Sequence, residues 1–271
     1  MFKKILLCIV FASACAIVFA QEYNRDNYEY HDAAPCVDIT TFPLDAEGYY
    51  ILFDGTSTRG WRGFGRDSIP EGWSIREGLL SFVPTPKQEE DLIFSYKFKN
   101  FVLEAEWNMS YGGNSGIFFL ASEVRSHTRK GRLYYRDIYI TSPEYQLLDD
   151  AHFTDDFKAA EGVHNSAALY DMIAPKVMNA NPCGMWNKAK IICRDGAVEH
   201  WQNDVKVVEY HLWTDEWNDM IDHSKFNKSN WPLANILLKE IGRDEHKGYI
   251  GFQDHDAMFF LRNIRVKVLE D

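Results

Sequence analysis

Three short apolar runs, residues 186–194, 197–202 and 205–210, are separated only by Asp195-Gly196 and Asn203-Asp204. Linkers of two residues force neighbouring strands to lie antiparallel and side by side. Asp, Asn and Gly are the residues that tolerate the positive φ such turns need. A chain carrying this stretch builds a β-meander, and everything else must supply the sheets it joins. The same arithmetic recurs elsewhere. Residues 49–54 form an apolar run closed by Asp54-Gly55, and 73–82 is interrupted by Glu77-Gly78, a hairpin signal. Across 101–109, Phe101, Leu103, Ala105, Trp107 and Met109 alternate with Val102, Glu104, Glu106 and Asn108, the period of a strand with one buried face. Gly112-Gly113 turns the chain into another run at 114–121.

Residues 248–253 and 258–269 read as the last two strands. In the second, Met258, Phe260, Ile264, Val266 and Val268 are expected on one apolar face, with Arg262 as its only charge. A guanidinium there needs a partner or a ligand. Residues 215–226 depart from the pattern and predict one amphipathic helix with Trp217, Ile221 and Phe226 inward. Residues 122–142, rich in Arg and Tyr, read as a long exposed excursion. Pro175, Pro182 and Gly184 argue against a long helix within 153–185. About a dozen short strands with no βαβ alternation predict an all-β, antiparallel sandwich with a short helical insertion.

Lys3 and Lys4, an apolar stretch to Phe19 and the small residues of Val18-Phe19-Ala20 predict a signal peptide over 1–20, cleaved before Gln21. This is preferred to lipidation at Cys15, whose preceding Ala12-Ser13-Ala14 lacks the leading leucine of a lipobox. The expected location is extracytoplasmic, periplasmic or secreted, with no transmembrane helix. Residues 21–46 read as a polar, tyrosine-rich lead-in and 47–271 as one domain. A formal charge of −11 over the 271 residues offers no basic patch and argues against a nucleic-acid partner. Cleavage leaves Cys36, Cys183 and Cys193, which allow at most one disulfide and leave its pairing open. Widely spaced and without a C-x-x-C pattern, they do not spell a zinc site.

The stretch 141–152, TSPEYQLLDDAH, concentrates the chemistry. As a strand it puts Glu144 and Gln146 on one face and Tyr145 and Leu147 on the other, with Asp149 following that second face. A loop at the strand's exit is expected to fold Asp149, Asp150 and His152 back over the Glu144 face. The result would be a wall of carboxylate, amide and imidazole suited to catalysis or sugar binding. Gln253-Asp254-His255 closes a strand in the same manner, with Gln253 and His255 on one side. His200 alternates with Val198 and Gln202 between two turns. His164, His211, His223 and His246 have no pattern around them and read as surface residues.

Nine segments in order resemble one family. They are Leu52-Phe53-Asp54-Gly55 with Gly60-Trp61, Gly113-Asn114-Ser115-Gly116-Ile117, Pro143-Glu144-Tyr145-Gln146-Leu147-Leu148-Asp149, Ala168-Leu169-Tyr170-Asp171 and Trp186-Asn187. Val198-Glu199-His200-Trp201, Val207-Val208-Glu209-Tyr210, Gly251-Phe252-Gln253-Asp254-His255 and Arg262-Asn263-Ile264-Arg265 complete the set. Together they resemble the 3-keto-disaccharide hydrolase domain family over residues 47–269. Departures fall on loops: Asn203-Asp204 stands where the family commonly has Asn-Gly, and 122–142 and 213–232 are longer than its typical connections. The resemblance implies a concanavalin A-like jelly-roll sandwich and an enzyme acting on glycosides oxidised at C3 of the sugar.

The 3-ketone acidifies the C2 proton, so a modest base can remove it and the enolate can expel the C1 substituent. Such a site needs a base, an enolate stabiliser and an acid for the leaving group. A divalent metal is an alternative to side-chain donors for polarising the ketone; no ligand set for it is read from the sequence. The catalytic candidates are His255 first, because an imidazole titrates near neutrality, then Glu144, with Asp254 to orient the imidazole, and His200. Gln146, Arg262, Gln253, Asp149, His152, Asn114 and Glu104 are candidates for holding the sugar. The competing reading is a non-catalytic carbohydrate-binding sandwich, which predicts few converging titratable groups. A conventional two-carboxylate glucanase ranks last, since Glu-x-Asp-x-x-Glu is absent.

Overall fold

The computed structural model describes residues 28–86, 91–127, 131–153, 161–255 and 257–270. The expected signal peptide, Cys15 and the first part of the lead-in lie outside the described residues. Sixteen strands are present among them. In chain order they are β1 (Tyr28–Tyr30), β2 (Tyr50–Phe53), β3 (Trp61–Gly63), β4 (Trp73–Arg76), β5 (Leu79–Phe82), β6 (Leu92–Phe98), β7 (Phe101–Met109) and β8 (Asn114–Ala121). They continue with β9 (Val124–His127), β10 (Leu133–Tyr135), β11 (Glu144–Leu148), β12 (Asn187–Arg194), β13 (Ala197–Gln202), β14 (Val205–His211), β15 (Gly248–Phe252) and β16 (Phe259–Val268). Two short helices, α1 (Asp215–His223) and α2 (Pro232–Lys239), lie between β14 and β15.

The strands form an antiparallel jelly-roll sandwich. One sheet runs β11-β8-β15-β6-β3; the larger runs β14-β13-β12-β7-β16-β5-β4, with β2 also on β16. The expected meander is β12-β13-β14, and its turns take the left-handed conformation at Asp195, Gly196, Asn203 and Asp204 (φ 49°, 85°, 49° and 67°). β7 alternates strictly between buried and half-buried residues, so Phe101, Leu103, Trp107 and Met109 enter a core shared with Ile117, Phe119 and Tyr145 from the opposite sheet. β8 and β11, by contrast, are buried on both faces, because the helical insertion and the 3-10 turn at Ile138–Ile140 cover that part of the smaller sheet.

Two expectations are corrected. The segment 122–142 is not simply an exposed excursion: β9 pairs with β1 and β10 in a small third sheet, and Val124, Ile138 and Ile140 are buried. β16 does not keep one parity. A bulge between Arg262 and Arg265, with Asn263 at φ 52°, inserts one residue against β7. A single extra residue moves every later side chain to the other face. The inward set is therefore Phe259, Leu261, Ile264 and Val266; Phe260 and Arg262 face outward, and Met258 and Val268 are exposed. The predicted helix exists over Asp215–His223, and Trp217, Ile221 and Phe226 are buried as expected. The second helix, α2, was not foreseen.

Candidate active site

The middle of the smaller sheet carries the chemistry. β11 pairs with β8 so that Glu144 lies opposite Phe118, Gln146 opposite Gly116 and Leu148 opposite Asn114. Tyr145 and Leu147 point into the core. Glu144 and Gln146 line a cavity of about 260 Å³ on the other face, together with Asn114, Gln253, Asp254 and His255. The two stretches singled out in the sequence, 144–146 and 253–255, thus meet at one place. Backbone and hydroxyl contacts bring them there: Gln253 N–H donates to Gly116 O at 2.9 Å and Ser115 Oγ donates to Gln253 O at 2.8 Å. Asp254 N–H donates to Asp91 Oδ1 at 3.1 Å. Because β15 ends at Phe252, alternation no longer governs 253–255, and all three residues reach the cavity.

Gly116 has a specific task in this arrangement. A Cβ at this position would collide with the Glu144 carboxylate and its Cγ, so the glycine admits the carboxylate between the strands. Gln146 is 2 % exposed. Its Nε2 donates to Asn114 Oδ1 at 2.8 Å, and its buried Oε1 has no hydrogen-bond partner among the described residues. Such an acceptor suits a hydroxyl donor from a ligand.

The wall facing Glu144 comes from residues that sequence reasoning missed. Lys225, just beyond α1, and Trp231, immediately before α2, line the cavity with Tyr139 and Tyr170. Lys225 N–H donates to Asp171 Oδ2 at 2.5 Å, its Nζ donates to Tyr170 Oη at 3.1 Å, and the ammonium lies 4.2 Å from the centre of the Tyr170 ring. His164 stacks on that ring at 4.6 Å and bonds Asp171 at 3.0 Å. His164 is therefore a packed member of this network and not the surface residue expected. The motif Ala168-Leu169-Tyr170-Asp171 contained a signal for two of these groups; nothing local pointed to Lys225.

Burial pushes the Glu144 carboxyl up to about 8, against the pull of the Lys225 ammonium. Burial likewise pushes Lys225 down, opposed by Glu144 and Asp171. Desolvation disfavours charge on both partners, while each group's charge favours ionisation of the other. Asp171 behaves differently. Burial pushes its carboxyl upward, but the His164 hydrogen bond, the Lys225 N–H and the Lys225 charge hold it below the usual carboxylate range. It stays an anion that anchors Lys225.

Other candidates are placed elsewhere. His200 is fully buried in the core, with Nδ1 3.0 Å from Ala167 O and Nε2 3.2 Å from Tyr210 Oη. Burial pushes its imidazole down to about 4, against the Ala167 hydrogen bond. It is a neutral structural imidazole that does not reach the cavity. Arg262 and Glu104 lie on the outer face of the larger sheet, in a groove of about 750 Å³. Arg262 Nε donates to Glu106 Oε2 at 2.8 Å with its guanidinium over the Trp186 ring, and Glu104 accepts from Arg265 at 2.8 Å. Arg262 thus has the partner its position demanded. Asp149 and His152 do not fold over Glu144. Asp149 N–H donates to Gly113 O at 3.0 Å, which holds the strand's exit at the β7–β8 turn, where Asp149 and His152 bond one another at 2.9 Å.

Residues 48–267 match the model of a family described as the 3-keto-alpha-glucoside-1,2-lyase-like domain. The chain belongs to this family. A 3-keto-disaccharide hydrolase of Bacteroides thetaiotaomicron is 48% identical over 240 residues, covering 86% of this chain and 83% of that relative. Among solved structures, a Parabacteroides distasonis protein described as a glycosyl hydrolase is similar at 27% identity with a TM-score of 0.68. It covers 83% of this chain and 96% of its own. A second from the same organism, at 22% identity, has a TM-score of 0.55 over 77% of this chain and 99% of its own. The latter speaks to the fold alone. The 3-keto-alpha-glucoside-1,2-lyase-like domain thus spans both sheets and every residue that lines the Glu144 cavity.

Proposed function

We propose that this chain cleaves 3-keto-glycosides at C1 by proton abstraction and elimination within the Glu144 cavity, with water addition giving net hydrolysis. The observation that carries the reading is that buried Glu144 and Gln146 line one small cavity with half-buried Lys225 and His255. At about 260 Å³ it falls just under the roughly 300–1,000 Å³ of drug-sized pockets, which suits one sugar ring rather than an extended glycan.

In this reading Glu144 is the base. A carboxylate whose basicity has been raised by burial is matched to a carbon acid next to a ketone better than an exposed one. It takes the C2 proton, and the C2–H electron pair forms the C2–C3 double bond of the enolate. Negative charge moves from Glu144 to the substrate oxygen while the Lys225 ammonium stays beside both, so its stabilisation is not lost as the charge moves. The enolate then collapses to the ketone, a C1–C2 double bond forms, and the C1–O bond breaks. His255 gives the departing oxygen its proton. Water adding hydroxyl at C1 and hydrogen at C2 completes hydrolysis. Gln146 Oε1 accepts from a sugar hydroxyl, and Trp231, 39 % exposed at the rim, offers a face for stacking. The reading also takes residues 1–20 as an export signal, so that the reaction runs outside the cytoplasm; a recovered exported chain should begin at Gln21.

The deciding assay gives the purified chain a nitrophenyl glucoside and its 3-keto derivative, following aglycone release and enone absorbance with and without chelator. Release from the keto sugar alone supports the proposal, and chelator sensitivity reports a metal requirement. Release from the unoxidised glucoside points to a conventional glycosidase, and glycan binding without turnover points to a binding module.

A further inference from the structure

Among the described residues, one group of three metal-competent side chains converges: Asp149, His152 and Cys183 each place a ligand atom within 4.8 Å of the others. It stands at the far end of β11 from Glu144, about 16 Å along an extended strand, and no part of it lines the Glu144 cavity. The reaction proposed above leaves the group unused.

The three atoms surround a common point. His152 Nδ1 is 2.9 Å from Asp149 Oδ2 and 3.8 Å from Cys183 Sγ. Bonds of about 2.0–2.2 Å to N and O and about 2.3 Å to S at tetrahedral angles separate ligand atoms by roughly 3.3–3.7 Å. The two distances measured from His152 Nδ1 differ from these by tenths of an ångström, and the Asp149 and Cys183 ligand atoms lie within 4.8 Å of one another. The surrounding contacts hold the group in place. The Asp149 carboxylate is 1 % exposed and accepts from Gly112 N–H at 3.0 Å and Cys183 N–H at 3.4 Å. Tyr111 lies against the imidazole, ring centres 4.4 Å apart. No Lys or Arg among the described residues pairs with Asp149, and its one charged-type neighbour is His152. The His152 side chain remains 35 % exposed, which leaves a position for water.

We infer that Asp149, His152 and Cys183 form a binding site for a borderline-soft divalent cation of the zinc type. The mixed O, N and S donor set selects zinc-like ions over magnesium or calcium, which take oxygen ligands. Carboxylate, thiolate and neutral imidazole carry two negative charges, which one such ion cancels. On binding, the thiol gives its proton to solvent and the imidazole proton moves from Nδ1 to Nε2, freeing Nδ1 to coordinate. The ion would tie together the β7–β8 turn, the exit of β11 and the segment leading into β12. The spacing of cysteines in the sequence could not show this, since the three ligands come from two distant segments and only one is a cysteine.

The test uses the chain without a polyhistidine tag, carrying Cys36→Ser to remove the exposed thiol. Cobalt(II) serves as the optical probe and zinc as the competitor. The expected result is one equivalent of cobalt bound with a thiolate-to-metal charge-transfer band in the near ultraviolet. Zinc should displace it, and millimolar magnesium or calcium should not. Cys183→Ser should abolish the band, and Cys183→Ser and His152→Ala should each weaken zinc binding by about 10-fold or more, with circular dichroism unchanged. Absence of the band, displacement by magnesium, or zinc affinity unaltered in both variants would overturn the site. Because the readout is metal binding, it fails or succeeds independently of keto-glycoside turnover.

Discussion

At the scale of single residues, Glu144 is a burden on stability that the proposed chemistry would use. Its folded value of about 8 lies above the ordinary carboxylate value, so between those two values the unfolded chain has given up a proton that the folded chain keeps. Stability therefore falls as pH rises through that window. Glu144→Gln removes the titration: its stability relative to the parent should be level below about pH 4.5 and grow by a few kcal/mol, in order of magnitude, towards pH 8. Denaturant midpoints across pH read this directly. The same variant should lose about 10²-fold or more in turnover. If Glu144 is the base, kcat/KM should rise with pH to a plateau, with its midpoint near 8. Lys225→Met should move that midpoint to higher pH, because the ammonium now pulls the carboxyl down. A midpoint that stays still would remove Lys225 from the pair.

At the scale of elements, β8 and β11 form one device, and Gly116 is its clearance. Gly116→Ala should cost about 1–3 kcal/mol by overpacking and lower activity in a chain that still folds. In a Glu144→Ala background the same substitution should cost much less, since the colliding carboxylate is gone; equal costs in both backgrounds would refute the packing account. Much of this level was legible in the sequence. β7, the meander and the Glu77-Gly78 hairpin follow from alternation and turn chemistry, which act over a few residues. Glu144, Gln146 and 253–255 were found because short polar runs at strand ends stand out. The bulge at Asn263 was hidden because one unpaired residue leaves no compositional mark, and so Arg262 was assigned to the wrong face. His200 was misjudged because a strand alternating in sequence does not say whether its inward face meets a ligand or a core. Lys225 and Trp231 were missed because an insertion's position over a sheet is decided by tertiary docking alone.

At the scale of the molecule, the site is a seam between the sandwich and its insertion. Trp217 is fully buried, donates Nε1–H to Leu238 O at 3.0 Å and stacks on Tyr210 of β14 at 5.9 Å, joining α1 to α2 and both to the larger sheet. Trp217→Ala should cost about 3–5 kcal/mol, and keto-glycoside turnover should fall further than Trp231→Ala alone causes, because Lys225 and Trp231 lose their shared support. Unchanged activity would show that the insertion holds its place without that anchor. The sheet order carries a different consequence. β16 lies between β7 and β5 and also pairs with β2, so the β4–β5 hairpin and the β7-β12-β13-β14 block each keep an unpaired edge, and stay unjoined, until residues 259–268 leave the ribosome. At about 5–20 residues per second, the nascent chain spends most of its synthesis with the middle of its larger sheet missing. Ribosome-bound chains stalled before that strand should stay open to protease along β5 and β7, and would remain threadable through a narrow channel until the final strand is released.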